Sequence, residues 1–142
     1  MHDKYKFVDV YSNELWDTTS YVPDVIITNF GTNDLSYIDV GSNDLEKANR
    51  RENFIATYVD FIDYLHRTYP NAQIVILYGL MNESGVYEDH ETIYARAKEI
   101  YPDLVMYKIN GDGKGYNSHP SITSHRAIAD TLIENIKEIM NW

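Results

Sequence analysis

The sequence predicts an α/β fold, with a parallel sheet covered by helices on both sides, and three observations support this prediction. Short β-branched runs alternate with longer segments of helical periodicity along the 142 residues. The runs are almost continuously apolar, as in strands that are buried on both faces. Turn-forming residues separate the two kinds of segment, which is the order typical of a layered α/β domain.

Four segments have the composition of strands. Each is a short run rich in β-branched or aromatic residues and bounded by turn formers. The boundaries fall at Pro, Asp, Asn and Gly, which favour turns and interrupt regular strands. The predicted strands are residues 7–11, 25–30, 74–78 and 104–109.

Three segments show the spacing of amphipathic helices. In residues 52–69, apolar side chains recur close to the i, i+4, i+7, i+8, i+11 series, and Pro70 ends the pattern. A shorter pattern covers residues 93–100 and ends before Pro102, whereas residues 124–140 repeat an apolar residue at every fourth position. No internal repeat or linker interrupts this order, so we expect residues 1–142 to form a single domain.

Composition and charge limit the kinds of protein that this chain can be. With 44% hydrophobic and 24% charged residues, it has the balance of a folded domain. The net charge of −10 argues against a nucleic-acid partner, because phosphate binding needs clustered Lys and Arg. Every apolar run is shorter than the roughly 18 residues that span a bilayer, so no membrane partner is expected. The absence of cysteine excludes disulfides and thiol catalysis.

Two short motifs follow predicted strands. Residues 31–34 (Gly-Thr-Asn-Asp) leave the strand at 25–30, and residues 118–121 (Ser-His-Pro-Ser) lie in a glycine-rich loop after the strand at 104–109. In parallel α/β sheets, ligands bind beyond the carboxyl ends of the strands. We therefore expect both motifs at one edge of the sheet, with their side chains converging on a cleft within about 10 Å.

The first motif has the residues of an oxyanion-binding turn. Gly31 allows a sharp turn, the Asn33 amide can donate to a developing negative oxygen, and Asp34 is expected to accept bonds from nearby loop amides. The alternative is ordinary turn chemistry or a helix cap. Residues 41–44 (Gly-Ser-Asn-Asp) repeat the pattern without a preceding strand, and we interpret that copy as a loop and helix cap.

His119 is the candidate general base, because imidazole exchanges protons near neutral pH. Pro120 restricts His119 to extended backbone geometry. The alternative is an exposed loop histidine without a task, which is how we interpret the remaining histidines (His2, His66, His90 and His125), with His125 as a second candidate base. A metal site built from Asp112, His119 and His125 is the rival chemistry, but their spacing fits no familiar ligand motif, so no metal is expected.

These motifs resemble the SGNH family of serine esterases, and nearly the whole chain after Trp16 is similar to one branch of it, the acetylxylan esterases of carbohydrate esterase family 2. The landmarks that support the resemblance are residues 16–17, 21–27, 31–36, 69–74, 79–81 and 118–121. The resemblance implies a three-layer α/β/α fold with a flavodoxin-like parallel sheet. It also implies that Asn33 helps to hold the oxyanion, with Gly31 and Asp34 supporting the turn, and that His119 is the base.

The resemblance also implies a Ser–His dyad. Most SGNH members carry Asp three residues before the histidine, and Tyr116 occupies that position here. Members of this branch are similar in lacking the Asp and in using a backbone carbonyl to orient the imidazole. We therefore expect the other ring nitrogen of His119 to donate to a carbonyl near residues 115–118.

One family element has no counterpart. The family's nucleophilic serine belongs to a Gly-Asp-Ser block before the Gly-x-Asn-Asp turn, and no Gly-Asp-Ser occurs in this chain. We find no match for the family's glycine block or for the N-terminal β-sandwich of many members either. The expectation is an N-terminally incomplete, truncated domain that lacks the family's first strand and its nucleophile, and that is inactive alone. The strand at 25–30 would then expose one apolar edge, which favours a homodimer.

The function implied by the resemblance is hydrolysis of O-acetyl esters on acetylated plant polysaccharides or oligosaccharides. No cofactor is implied. The substrate suggests a secreted, extracellular setting, although residues 1–6 are not followed by the apolar segment of a signal peptide. The alternative is a non-catalytic remnant that binds carbohydrate or assembles with another chain.

Overall fold

The computed structural model describes residues 3–81 and 87–142, and within these ranges it has three strands and four α-helices. Short 3-10 turns lie at Asp3–Lys6 and Tyr116–Ser118. The elements in chain order are β1 (Val25–Thr28), α1 (Thr32–Asp39), α2 (Asp44–Thr68), β2 (Gln73–Tyr78), α3 (Tyr87–Lys98), β3 (Val105–Lys108) and α4 (Ile122–Met140).

The strands form one parallel sheet in the order β1-β2-β3, which confirms the predicted fold class. Successive side chains of the central strand β2 point to opposite faces. Ile74 and Ile76 pack into the cluster that includes residues of α2 and α3. Val75 and Leu77 pack on the other face with Ile128 and other residues of α4. The sheet therefore lies between two helical layers.

Helix α2 provides the largest part of the core. Its buried residues follow the predicted helical spacing: Phe54, Ile55, Tyr58, Phe61, Ile62 and Leu65. The helix begins eight residues earlier than predicted because Asn43 caps it, accepting a bond from the backbone N–H of Glu46. The predicted role of residues 41–44 as a loop and helix cap is confirmed.

Helix α3 also begins earlier than predicted. Glu88 and Asp89 lie in its first turn, where negative charge favours a helix N-terminus. Helix α1 was not among the predicted helices: residues 31–34 were expected to form an oxyanion-binding turn, with ordinary turn chemistry or a helix cap as the alternative. Gly31 is the N-terminal cap of α1, and Ile38 is its buried residue.

The predicted strand at residues 7–11 is wrong. Phe7 makes one isolated antiparallel bridge with Leu15, and the residues after it turn around Asp9, whose carboxylate accepts from the Tyr11 and Ser12 backbone N–H groups. Tyr11 is 95% exposed. The local side-chain-to-backbone bonds of Asp9 stabilise a turn, and such bonds compete with strand formation.

Strand β1 pairs only with β2 in the part of the chain that the structure describes. Its other edge has no strand partner there, in agreement with the expectation for this strand. Ile27 is 46% exposed although it lies within the strand. None of the helices in the described ranges is long and apolar enough to cross a membrane.

Candidate active site

The two motifs lie beyond the same end of the sheet but on its two outer strands. The loop with Asn33 follows β1, and the loop with His119 follows β3. With β2 between them, the strand ends are about 10 Å apart, which is two interstrand spacings. The side chains can meet only if both loops lean over the end of β2.

Contacts at the end of β2 link both loops to this strand. On one side, the His90 ring stacks on Tyr78, the last residue of β2, and also bonds the turn that follows β1. On the other side, the backbone N–H of Ile109 donates to the carbonyl of Tyr78 over 2.9 Å. The meeting of the Asn33 and His119 side chains in one cleft stays a prediction.

The turn after β1 depends on glycine. Gly31 has φ 123° and ψ −29°, a conformation that L side chains rarely adopt. Its carbonyl accepts from the Leu35 backbone N–H over 2.8 Å, which begins α1. Asn33 is the second residue of this helix, and its side chain is exposed. An amide in this position is available as a donor to a bound oxyanion.

Buried polar groups hold this turn from beneath. The Tyr58 hydroxyl lies 2.8 Å from Oγ1 of Thr28, the last residue of β1. Burial raises the pKa of Tyr58 to about 12, and the nearby charge of Asp34 adds to the shift. The hydroxyl therefore stays protonated at neutral pH. The predicted bonds from loop amides to Asp34 stay a prediction.

The most informative residue that the sequence analysis missed is His90. It was interpreted as an ordinary histidine, yet its Nε2 lies 2.9 Å from the carbonyl oxygen of Phe30. Its spacing from Ile93 and Ala97, three and seven residues later, places it on the buried face of α3. A histidine on the apolar face of a helix is the signal that could have identified it.

The loop after β3 places His119 in a constrained turn. Asn117 (φ 50°) and Ser118 (φ 63°) both have positive φ, which is unusual for residues other than glycine. The Gly115 backbone N–H donates to the His119 carbonyl over 2.7 Å and closes the turn. His119 itself has φ −67° and ψ 159°, the extended geometry predicted from Pro120.

The imidazole of His119 is oriented by the backbone. Its Nδ1 lies 2.8 Å from the carbonyl oxygen of Tyr116, so Nδ1 carries the proton and donates it to that bond. A carbonyl therefore orients the ring, as the resemblance implied. In this tautomer the lone pair of the neutral ring is on Nε2, the atom that can act as a base. The side chain is exposed.

Asp112 fixes the base of the loop that carries His119. Its carboxylate accepts from the backbone N–H of Ser121 over 2.8 Å and from its hydroxyl over 2.7 Å. These bonds hold the pKa of Asp112 at about 2, below its ordinary 3.8. The Ser121 hydroxyl also accepts from the Ser124 N–H and caps α4. Across the described ranges, no group of three or more His, Asp or Glu residues could hold a metal ion.

A close backbone approach fixes the position of the loop. A Cβ atom at Gly111 would lie 2.0 Å from the carbonyl oxygen of Leu80 and 2.7 Å from Pro120 Cγ. Only glycine fits this position without displacing the Leu80 backbone. The segment with His119 is therefore packed directly against the loop that leaves β2.

Comparisons with known proteins give relatives of one kind. No protein-family model matches the chain. The cellulase/esterase CelE of Acetivibrio thermocellus is 29% identical over 151 aligned positions, which cover 99% of this chain and 17% of that protein. An acetylxylan esterase/glucomannan deacetylase of Cellvibrio japonicus is 31% identical over 145 positions, which cover 99% of this chain and 38% of that protein.

A solved structure agrees with these relatives. A family two carbohydrate esterase from Clostridium thermocellum, in complex with cellohexaose, is 28% identical and superposes with a TM-score of 0.77 over 99% of this chain and 43% of that chain. This chain therefore spans less than half the length of each relative. The resemblance predicted from the sequence is confirmed, since relatives by sequence and by structure are carbohydrate esterases.

Proposed function

We propose that this chain, which resembles the family 2 carbohydrate esterases over nearly its whole length, contributes the general base and an oxyanion donor of a carbohydrate O-acetyl esterase. His119 is the base and Asn33 is the donor, with Gly31 and Asp34 supporting the turn. The nucleophilic serine is not among the 142 residues. No cofactor takes part.

The reaction would proceed by two acyl transfers. A serine hydroxyl attacks the acetyl carbonyl while Nε2 of His119 takes its proton, and the Asn33 amide donates to the tetrahedral oxyanion. The imidazolium then protonates the sugar oxygen as it leaves, and an acetyl-serine remains. Water, deprotonated by the same His119, attacks this ester and releases acetate, and the serine oxygen recovers the proton.

The observation that supports this proposal most is the bond from His119 Nδ1 to the Tyr116 carbonyl. A serine hydrolase needs its histidine in one tautomer with Nε2 directed at the nucleophile, and a carboxylate usually fixes that tautomer. Here a backbone carbonyl accepts the Nδ1 proton, at a loop with two positive-φ residues. Such strained backbone persists where the surroundings over-determine it, and it clusters at active sites.

The missing nucleophile gives the first experimental test. Ser121, a neighbour of His119 in sequence, has its hydroxyl bonded to Asp112 and to the N-terminus of α4. We expect the purified chain to show no serine-dependent turnover of acetyl esters, measured as acetate release and compared with a His119→Ala variant. Hydrolysis that disappears in His119→Ala would contradict this expectation and would require a nucleophile within the chain.

The substrate and setting are proposed from the relatives. The relative from Cellvibrio japonicus is described as an acetylxylan esterase and glucomannan deacetylase, and the solved relative holds cellohexaose. We infer that the substrate of this chain's site is an acetylated plant polysaccharide or an oligosaccharide derived from it. Because such polymers lie outside cells, we infer an extracellular setting.

The alternative function is assembly or carbohydrate binding without catalysis. It is favoured by the unpaired edge of β1 within the described part of the chain and by the 46% exposure of Ile27 on that strand. An apolar, unpaired edge is a template for pairing with another polypeptide. The chain would then retain His119 and Asn33 without using them.

A further inference from the structure

We propose that His90 is the positioning residue of the oxyanion turn. Its imidazole holds the Phe30–Gly31 peptide. This bond orients the start of α1 and therefore the direction in which the Asn33 amide points. The consequence for catalysis rests on the proposed function of Asn33, but the positioning itself is a property of the fold and can be measured separately.

The first argument is burial. His90 is 0% exposed and lies in α3, sixty residues from its hydrogen-bond partner in the chain. Burying a polar ring is unfavourable unless its polar atoms are bonded. Because the partner of Nε2 is a carbonyl oxygen, which can only accept, Nε2 must carry the proton. The bond therefore requires a proton on Nε2 and has one direction, from the ring to the carbonyl.

The second argument is rigidity. Aromatic rings surround His90: it stacks on Tyr78 at 5.6 Å between centroids, and it makes edge contacts with Tyr58 at 5.8 Å and Phe54 at 6.2 Å. Rings packed in this way leave the imidazole little freedom to rotate. The donor nitrogen is thus fixed relative to the end of β2 and to α2.

The third argument is what the bond controls. The Phe30 carbonyl and the Gly31 N–H belong to the same planar peptide, so a bond to the carbonyl fixes the plane that enters Gly31. Gly31 has no side chain to restrict its own rotation. The bond to the Phe30 carbonyl fixes the peptide that precedes Gly31. It therefore limits how far α1 can tilt, and with it Asn33, the second residue of that helix.

The other end of α1 is held independently. The Arg50 guanidinium donates to the Tyr37 carbonyl and lies 4.1 Å from the centroid of the Tyr37 ring. Helix α1 is thus attached to α3 at its start and to α2 near its end. Asn33 lies close to the attachment made by His90, so that bond has the larger influence on the donor.

Two substitutions separate hydrogen bonding from packing. His90→Phe keeps a ring among the surrounding aromatics and removes the donor. His90→Gln keeps a side-chain N–H that can donate to Phe30. His66→Phe is the matched control, because His66 also packs against an aromatic ring, that of Tyr101 at 4.6 Å, and lies in the last turn of α2, where the chain leads into the start of β2.

The measurement is NMR of the 142-residue chain, which requires no catalysis. In the wild type, the imidazole ¹⁵N spectrum should show His90 protonated at Nε2. In His90→Phe, the Leu35 amide, which bonds Gly31, should lose about fivefold to tenfold of its hydrogen-exchange protection, the factor expected for one net hydrogen bond. His90→Gln and His66→Phe should retain protection at Leu35 within about twofold of the wild type.

The proposal would be overturned by a wild-type His90 without a proton on Nε2, by unchanged protection of Leu35 in a folded His90→Phe, or by an equal loss in His66→Phe. If His90→Phe does not fold, the tautomer and the His90→Gln variant decide the question. The two proposals can fail separately. If His90 fixes the turn but Asn33 proves unimportant for hydrolysis, the positioning role of His90 stands and the proposed function is contradicted.

Discussion

Asn33 and Asn43 occupy the same place in two copies of one four-residue pattern, yet their side chains have different surroundings. The Asn43 oxygen accepts from the Glu46 N–H and caps α2. No side-chain cap bond is made at the start of α1, where Gly31 is the capping residue. The two copies differ in what precedes them: residues 31–34 follow strand β1, whereas residues 41–44 follow no strand.

This contrast gives a paired prediction at the scale of single residues. Asn43→Ala should lower the free energy of unfolding by about 1 kcal/mol, as expected for the loss of an N-cap. Asn33→Ala should change it by less than about 0.5 kcal/mol, since an exposed side chain without a cap bond is removed. Urea unfolding of the two variants measures both values.

The same pair should behave in the opposite way in catalysis. Once the site is assembled with a nucleophile, Asn33→Ala should lower kcat by about 10²–10³, the usual cost of removing one oxyanion donor. Asn43→Ala should leave kcat unchanged. Equal effects of the two variants on hydrolysis would mean that Asn33 has no special role.

At the scale of elements, the start of α4 and the His119 loop form one unit held by Asp112. Hydrogen bonds from Ser121 hold the pKa of Asp112 at about 2, below its ordinary 3.8. A carboxyl whose pKa is lower in the folded state stabilises the fold above its unfolded pKa, and that contribution disappears as the pH falls through the folded pKa. The loop should therefore stay bonded at pH 4 and loosen as the pH approaches 2.

NMR titration of the Ser121 and Lys114 amides, which both donate to Asp112, tests this prediction. Their shifts should follow a transition near pH 2 rather than near the ordinary value of 3.8. Asp112→Asn at pH 7 should reproduce the low-pH shifts in part, because the amide keeps one acceptor and loses the charge. A transition near the ordinary value would show that the Ser121 bonds are weaker in solution.

The helices and strands with the clearest apolar periodicity were the ones predicted most accurately from the sequence. Strand β2 and helix α2 have long apolar patterns, and both were found with errors mainly at their ends. The segment at 7–11 has the composition of a strand, but the Asp9 carboxylate accepts from the Tyr11 and Ser12 backbone N–H groups and these local bonds stabilise a turn there. Helix α1 is short and polar, so its stability comes from contacts with other parts of the fold, such as the bond from Arg50 to the Tyr37 carbonyl. The local sequence does not reveal such contacts.

The site was predictable to a similar degree. The geometry of His119 follows from Pro120, which acts on its neighbour along the chain. The partner of His119 Nδ1 was expected from the family resemblance. The bond from His90 to Phe30 joins residues sixty positions apart, and its existence depends on how α3 packs against α2 and β2. The helical periodicity of α3 could place His90 on the buried face, but it could not identify the Phe30 carbonyl as its hydrogen-bond acceptor.

At the scale of the whole molecule, an apolar groove lies beside the edge of β1 that has no strand partner among residues 3–81 and 87–142. It has a volume of about 420 Å³, and its lining includes Ile27 of the strand, 46% exposed, and Ile133 of α4, 48% exposed. Trp142, 68% exposed, completes its apolar rim. An edge strand next to such a surface favours a symmetric pairing of two chains.

We therefore propose that the chain self-associates through this groove and edge, and that light scattering at micromolar concentration gives a mass above 16.5 kDa. Because each chain carries a net charge of −10, repulsion opposes association and added salt should strengthen it. Ile27→Lys should restore the monomer, since a lysine on an edge strand blocks pairing.

Ile122→Lys is the matched control for this experiment. Ile122 is 91% exposed on α4 but is not among the residues that line the groove. The same substitution there should leave the mass unchanged. A monomeric wild type at every salt concentration, or equal effects of the two lysines, would remove the groove and the β1 edge as the interface.

The most direct test of His119 as a general base is to supply the nucleophile that we propose lies outside these 142 residues. The chain would be fused to the part of the Cellvibrio japonicus relative that lies outside the matched region, where the family pattern places the Gly-Asp-Ser, and acetate release from acetylated xylan would be measured. We expect hydrolysis that falls by about 10²–10⁴ in His119→Ala, the range for loss of a general base, and that is unchanged in His125→Ala. A folded fusion without activity, or one whose activity survives in His119→Ala, would contradict the proposal that His119 is the base of an esterase site.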